Sequence, residues 1–213
     1  MNNERRQLRL MIAGVILAFI LWWIMFVHPP LNFWILMAIS TLILTGIGLS
    51  ADPGMLRGWN PRMIALGIGS ALVLWGIFWT GNELLQLINA HVVEILPERS
   101  MQLQSVYANR DAIPRPLLLL LLMFPVGFGE EVFWRGLVQK QLQHRFLKGL
   151  GYAAGVALYA GVHIVTGNGL LIIAALVCGL YWGAIYWKTG SLVPVLISHM
   201  IWDPLIFVLF PLS

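Results

Sequence analysis

The sequence predicts an all-α fold: a polytopic helical membrane protein of about seven transmembrane helices enclosing a buried site. Three observations predict it. The 213 residues are 59% hydrophobic and 10% charged, whereas a soluble domain carries about 25% charged residues. Several apolar runs approach the ~20 residues needed to cross a bilayer. Clusters of Pro and Gly separate those runs at short intervals, which marks turns rather than domain linkers.

Taken in order, the first span is placed at 9–27. Arg5, Arg6 and Arg9 precede it, and it closes on Trp, Phe, His and Pro rather than on small residues. That ending predicts an uncleaved first helix rather than a signal peptide. Pro29-Pro30 separates it from span two at 31–50, and Pro53-Gly54 introduces span three at 63–88. A longer connection, 89–115, holds Glu94, Glu98, Arg99, Arg110, Asp111 and Arg115 and is expected at the surface, with a weakly periodic helix as one option. Span four is placed at 116–136, span five at 150–166, span six at 168–187 and span seven at 191–211. Gly149 to Gly151, Gly167 to Gly169 and Gly190 are read as the turns between the last four.

Orientation follows from Lys and Arg. With the N-terminus in the cytoplasm, Arg5, Arg6, Arg9, Arg57, Arg62, Lys140, Arg145, Lys148 and Lys188 fall inside, and Arg99, Arg110 and Arg115 fall outside. The compact, loop-poor chain suits a bacterial inner membrane. The net charge of +4 reflects these flanks and implies no nucleic-acid partner; the partner it does imply is the lipid bilayer. The single cysteine, Cys178, excludes an internal disulfide and reads as apolar filling.

Span four draws attention to function. Fourteen uncharged residues, Pro116 to Gly129, lead into Glu130, Glu131 and Arg135. Each charge at a helix centre costs ~3 kcal/mol and three cost roughly 9, against the roughly 2–4 kcal/mol returned by six consecutive leucines. These charges must be paired, near an interface or lining a cavity. Glu131 and Arg135 are i,i+4 and can pair on one helix face. Glu130 is turned about 100° away, so the two carboxylates meet different environments, as acid/base chemistry requires.

The remaining ionisable residues inside spans are His163, His199 and Asp203, with Glu83 near a span end. Tyr159 and His163 are i,i+4, as are His199 and Asp203, so Asp203 can orient the His199 ring. Blander readings stand beside this one. A lone intramembrane His often bonds helix to helix, a Glu–Arg pair can act as structural glue, and Asp203 before Pro204 can satisfy broken backbone. The combination on three spans is what favours chemistry. No HExxH and no GxSxG occurs, so neither the metalloprotease helix nor the nucleophile elbow is present. The set suits activation of water by Glu and His, with a second His at an oxyanion. Two His and a Glu equally suit a divalent metal such as zinc, with Glu130, His163 and His199 as the ligands.

Gly129-Glu130-Glu131-Val132-Phe133-Trp134-Arg135-Gly136 resembles the EExxxR motif of the CPBP (Abi, CAAX protease) family of intramembrane proteases. Tyr159-Ala160-Gly161-Val162-His163 is similar to its FxxxH motif, with Tyr for Phe. His199-Met200-Ile201-Trp202-Asp203 is similar to HxxxN or HxxxD. The resemblance covers about residues 115–211. It implies a catalytic core at 115–213, preceded by transmembrane helices and a long outer loop at 1–114 that carry no named motif. The implied activity is endopeptidase cleavage of a membrane-associated peptide or lipidated protein tail. Glu130 and His163 would activate water, His199 and Asp203 would hold the oxyanion, and Glu131 and Arg135 would support them; no cofactor is needed by such a glutamate-type mechanism. Asp203 where Asn is common puts a negative charge beside the oxyanion site.

Two other classes use similar residues: a proton- or ion-coupled carrier, disfavoured by the lack of an inverted repeat, and a non-catalytic scaffold or immunity protein of the same fold. The span limits also raise a geometric conflict. At ~1.5 Å per residue, Glu130 and His163 would differ in depth by about 11 Å in a ~30 Å core. Span four must therefore be longer, tilted or kinked near Pro125, or span five must start later.

Overall fold

The computed structural model describes residues 2–91 and 98–213. Among them every regular element is helical: α1 (Asn2–Val27), α2 (Phe33–Ala51), α3 (Pro61–His91), α4 (Arg99–Tyr107), α5 (Arg115–Arg145), α6 (Lys148–Thr166), α7 (Gly169–Thr189) and α8 (Val193–Leu209). Six are long and apolar enough to cross a membrane, and α8 is a shorter apolar helix. The protein is thus an integral, polytopic, all-α membrane protein.

The membrane-length helices are apolar on all sides over most of their length, and packing decides which side faces inward. On α1, Met11, Ala18, Trp22 and Met25 are buried while Ile12, Ile16, Ile20 and Trp23 are exposed. Exposed isoleucines at i, i+4 and i+8 form a stripe suited to lipid. Starts are capped locally: the Asn32 side chain accepts from Trp34 N at 2.9 Å, and the Asn60 side chain accepts from Met63 N at 3.1 Å. The left-handed Gly190, at φ +64°, closes α7, a conformation that glycine adopts without Cβ strain.

α5 is the central helix. Sixty-one per cent of its apolar stretch is buried, against 22–33% for the other long helices, and it contacts α1, α2, α6, α7 and α8. It is longer than 116–136 and is not uniform. Wider, π-type turns at Leu122–Gly127 and Trp134–Gln139 interrupt it, and Phe124, before Pro125, has extended dihedrals of φ −148° and ψ 121°. Proline removes a backbone donor and crowds the preceding turn, which accounts for the break. Extra length and a kink are two of the remedies the depth conflict called for; a later start for span five is not, since α6 begins at Lys148.

Gly149 to Gly151 do not form a turn, as the breaker pattern suggested. They lie in the first turns of α6, and the connection is Phe146-Leu147. A Cβ on Gly151 would meet the Gln143 backbone nitrogen at 2.5 Å, so glycine is there to let α6 fold back against the end of α5. In the long connection, 99–107 forms the short helix α4. Positions 92–97, including Glu94, lie outside the described residues.

Two close crossings fix the height of α5. A Cβ on Gly129 would run into Thr45 Oγ1 and come within 3.1 Å of Thr41 O on α2. One on Gly127 would lie 3.1 Å from His199 C and Met200 N on α8. Small residues at such crossings let backbones approach, and here they bring α2 and α8 against the Glu130-Glu131 turn. α3 in turn packs along α8.

Candidate active site

Glu130, Glu131 and Arg135 from α5, His163 from α6, and His199 and Asp203 from α8 are all buried. Glu131 Oε1 accepts from Arg135 Nη1 at 2.8 Å and lies 2.9 Å from His199 Nδ1. Its other oxygen, Oε2, is buried without a hydrogen-bond partner among the described residues. Arg135 Nη2 donates to Cys178 O at 3.3 Å, and its guanidinium lies 4.4 Å from the Tyr159 ring centre. The charge on Arg135 is therefore spread over a carboxylate, a carbonyl and an aromatic face, which makes its burial tolerable.

Glu130 points elsewhere, as the 100° rotation predicts. Its Oε2 accepts from the Tyr159 hydroxyl at 2.9 Å. His163 sits one turn beyond Tyr159 on α6, with Nδ1 2.9 Å from Tyr159 O. A carbonyl only accepts, so Nδ1 carries a proton, and in the neutral imidazole Nε2 then keeps its lone pair. The His163 ring meets Trp22 edge-on at 6.0 Å and Tyr159 at 5.4 Å. Tyr159 thus touches both groups, with its hydroxyl on Glu130 and its carbonyl and ring on His163.

His199 is held on three sides. Glu131 takes Nδ1, Asp203 Oδ1 lies 3.4 Å from Nε2, and the ring stacks on Trp182 at 3.8 Å with planes 22° apart. Trp182 is itself fixed by its Nε1 donating to Ser198 Oγ at 3.0 Å. Trp182 and Trp22 bear on the site but had no signal in the sequence, since an apolar helix presents aromatic residues on every face. Tyr159 has one in its i,i+4 spacing from His163 and stands where the motif has Phe. Its hydroxyl is the part that reaches Glu130.

The six residues do not fit the metal option. Among the described residues, no three of His, Cys, Asp or Glu group so as to hold a metal ion. Glu130, His163 and His199 face different partners: the Tyr159 hydroxyl, the Tyr159 carbonyl and Glu131.

Ionisable groups sealed inside membrane-length helices define an integral membrane protein with a polar centre within its transmembrane bundle. Residues 112–205 match the family model described as Type II CAAX prenyl endopeptidase Rce1-like. That match, over a little under half of the chain, supports the CPBP, or CAAX protease, family for this part of it. The match takes in Glu130 through Asp203 and carries the coarse function: an intramembrane endopeptidase of the CAAX class, acting on a membrane-associated substrate. It does not favour a carrier. No curated protein matches the chain, and no solved structure matches it.

Proposed function

We propose that the protein cleaves a peptide bond of a membrane-associated peptide or lipidated protein tail by a glutamate-type mechanism, with residues 115–213 as the catalytic core and 1–114 as its surrounding helices. Glu130 takes a proton from water while His163 Nε2 accepts the other water hydrogen and aligns it. The oxygen attacks the scissile carbonyl, and the carbonyl π electrons move to oxygen as an oxyanion. His199 and Asp203 line the oxyanion side, with an imidazole N–H as donor. Collapse of the intermediate breaks the C–N bond, and the proton held by Glu130 passes to the leaving amine. The products are a carboxylic acid and an amine, which exchange a proton to leave as carboxylate and ammonium, and the enzyme is regenerated.

One observation carries this assignment of roles. Glu131 is committed to Arg135 and His199, whereas among the described residues Glu130 accepts only from a tyrosine hydroxyl. Glu130 is therefore the carboxylate left available for proton transfer, and Glu131 is the one that positions. Asp203 acts through His199: its carboxylate, 3.4 Å from Nε2, orients the ring from the next turn of the same helix. The nine-to-three division of Lys and Arg supports a cytoplasmic N-terminus, and the loop-poor chain suits a bacterial inner membrane.

The test is co-expression with candidate substrates in membranes, wild type beside Glu130→Gln, read by mass spectrometry of small membrane peptides and protein tails. A product that disappears with folded, inserted Glu130→Gln supports the role; its loss with His163→Ala at 10²–10⁴-fold lower rate supports shared water activation. Full cleavage by both variants would end the assignment.

A further inference from the structure

A polar cavity lies away from the six site residues, at the end of the bundle where α2, α3, α5, α7 and α8 meet their connections. It has a volume of about 420 Å³, and its wall includes Asp52, Arg57, Asn60, Lys140, Tyr186 and Ser191. The Arg145 Nη2 bond to Glu4 O at 3.1 Å places the N-terminus of α1 at this same end. Arg5, Arg6, Arg9, Arg62, Lys148 and Lys188 flank the same helix ends. Exposed Trp59 and Trp187 neighbour the wall, as aromatic residues do at a membrane–water interface.

The cavity has spare donors and spent acceptors. Asp52 uses Oδ2 for Lys140 Nζ at 2.7 Å and Oδ1 for Gly54 N at 3.0 Å. Lys140 has three N–H donors and uses one there. The Arg57 guanidinium makes no hydrogen bond or ion pair among the described residues, yet it stands close enough to Asp52 to lower its carboxyl below the usual range, behind the larger effect of the Lys140 hydrogen bond. Tyr186 is 8% exposed, lines the cavity and has no hydrogen-bond partner for its hydroxyl among the described residues. The wall carries two cations and one anion. A ligand that fits must accept from Arg57 in the α2–α3 connection, Lys140 on α5 and Tyr186 on α7.

We propose that this cavity binds a phosphate group. A tetrahedral phosphate offers acceptor oxygens in several directions, and the planar fork of arginine matches two of them. A carboxylate places its acceptors in one plane and suits three separated donors less well. Two sources share this chemistry: the headgroup of a phospholipid in the adjacent leaflet, and free phosphate. Met55, Met63 and Leu192 also line the cavity and give the apolar border that a headgroup with attached chains would meet. The site is independent of the cleavage chemistry, and neither Arg57 nor Tyr186 belongs to the proposed catalytic set.

The experiment uses the full chain in maltoside micelles, which contain no phosphate. Dioctanoyl phosphatidic acid, inorganic phosphate and dioctanoylglycerol are titrated separately, with binding read by native mass spectrometry and tryptophan fluorescence. Arg57→Gln and Tyr186→Phe accompany the wild type, and their unimpaired folding is checked by thermal melts. Saturable phosphatidic acid binding is expected, weakened at least tenfold by Arg57→Gln and about fivefold by Tyr186→Phe, with no saturable dioctanoylglycerol binding. Inorganic phosphate binding with the same variant pattern would support a soluble source. The proposal is overturned if neither phosphate probe saturates, if dioctanoylglycerol binds as well as phosphatidic acid, or if either folded variant keeps wild-type affinity.

Discussion

Glu131 and His199, 68 residues apart in the chain, meet at 2.9 Å between Oε1 and Nδ1. The same oxygen takes Arg135 at 2.8 Å, so one carboxylate joins the α5 cation to the α8 imidazole. The bond ties the first and last motifs of the chain together inside the bundle.

Glu131→Gln should therefore damage the fold more than Glu130→Gln. The first leaves Arg135 and His199 buried without their carboxylate, a loss of about 3–5 kcal/mol for a broken buried pair. The second removes no ion pair. Thermal unfolding in detergent should show Glu131→Gln melting well below wild type and Glu130→Gln near it. Equal melting temperatures would contradict the distinction between a positioning and an available carboxylate.

Tyr159→Phe restores the residue type of the motif and deletes only the hydroxyl on Glu130. Loss of a hydrogen bond to a carboxylate is worth roughly 1.5–3 kcal/mol. Steady-state cleavage should show about a tenfold or greater fall in kcat, with little change in KM or melting temperature. An unaltered kcat would mean that the hydroxyl is incidental to Glu130.

Trp182→Leu removes the face on which His199 stacks at 3.8 Å. The ring then keeps its Glu131 bond but loses its fixed tilt relative to Asp203. We expect kcat to fall roughly 10²-fold, in the range for a misplaced oxyanion donor. Tryptophan-free spectroscopic control of folding is provided by circular dichroism, and a variant that is fully helical and fully active would refute this positioning role.

Gly129→Ala should separate α2 from α5, because a Cβ there collides with Thr45 and crowds Thr41 O at 3.1 Å. Overpacking of this kind costs about 1–3 kcal/mol. The melting temperature should drop, and Thr45→Ser, which keeps Oγ1, should not rescue it, whereas Thr45→Ala should rescue it in part, since the Thr41 O contact remains.

Asp52→Asn tests the ion pair with Lys140, whose side chains are 28% and 45% exposed. Exposure limits the pair to about 0.2–1 kcal/mol. The Asp52 carboxyl is held below its ordinary 3.8, first by the Lys140 hydrogen bond. Its contribution is thus fully present above that ordinary value and is lost as pH falls through the lower folded value. Wild type should out-melt Asp52→Asn at neutral pH, and the gap should close in acid. A gap that persists in acid would assign the effect to the turn rather than to charge.

Helical periodicity made the pairs within one helix legible: Glu131 with Arg135 and His199 with Asp203 follow from i,i+4 spacing and stand at 2.8 Å and 3.4 Å. The rotation of Glu130 away from Glu131 follows from the same geometry. The contacts between helices did not follow, because a helix apolar on all faces gives no sign of which face meets which neighbour. Glu131 with His199, Tyr159 with Glu130 and Trp182 on His199 all fall in that class. The end of α5 was also hidden. Lys140 and Arg145 look like loop residues by charge, yet they sit on a helix that continues to Arg145, their long side chains reaching Asp52 and Glu4 O at its polar end.

The central place of α5 constrains how the protein is made. Translation delivers Glu130, Glu131 and Arg135 before His199 exists, and this segment emerges with about 9 kcal/mol of charge to hide. The Glu131–Arg135 pair masks part of it; the rest waits for α8. α1 to α3 are already synthesised, and α1 and α2 contact α5, so they form a cradle into which the charged helix can settle without first entering lipid alone. Membrane insertion is therefore a folding event that spans the synthesis of three further helices, and α5 gains its full set of neighbours only when α8 is made.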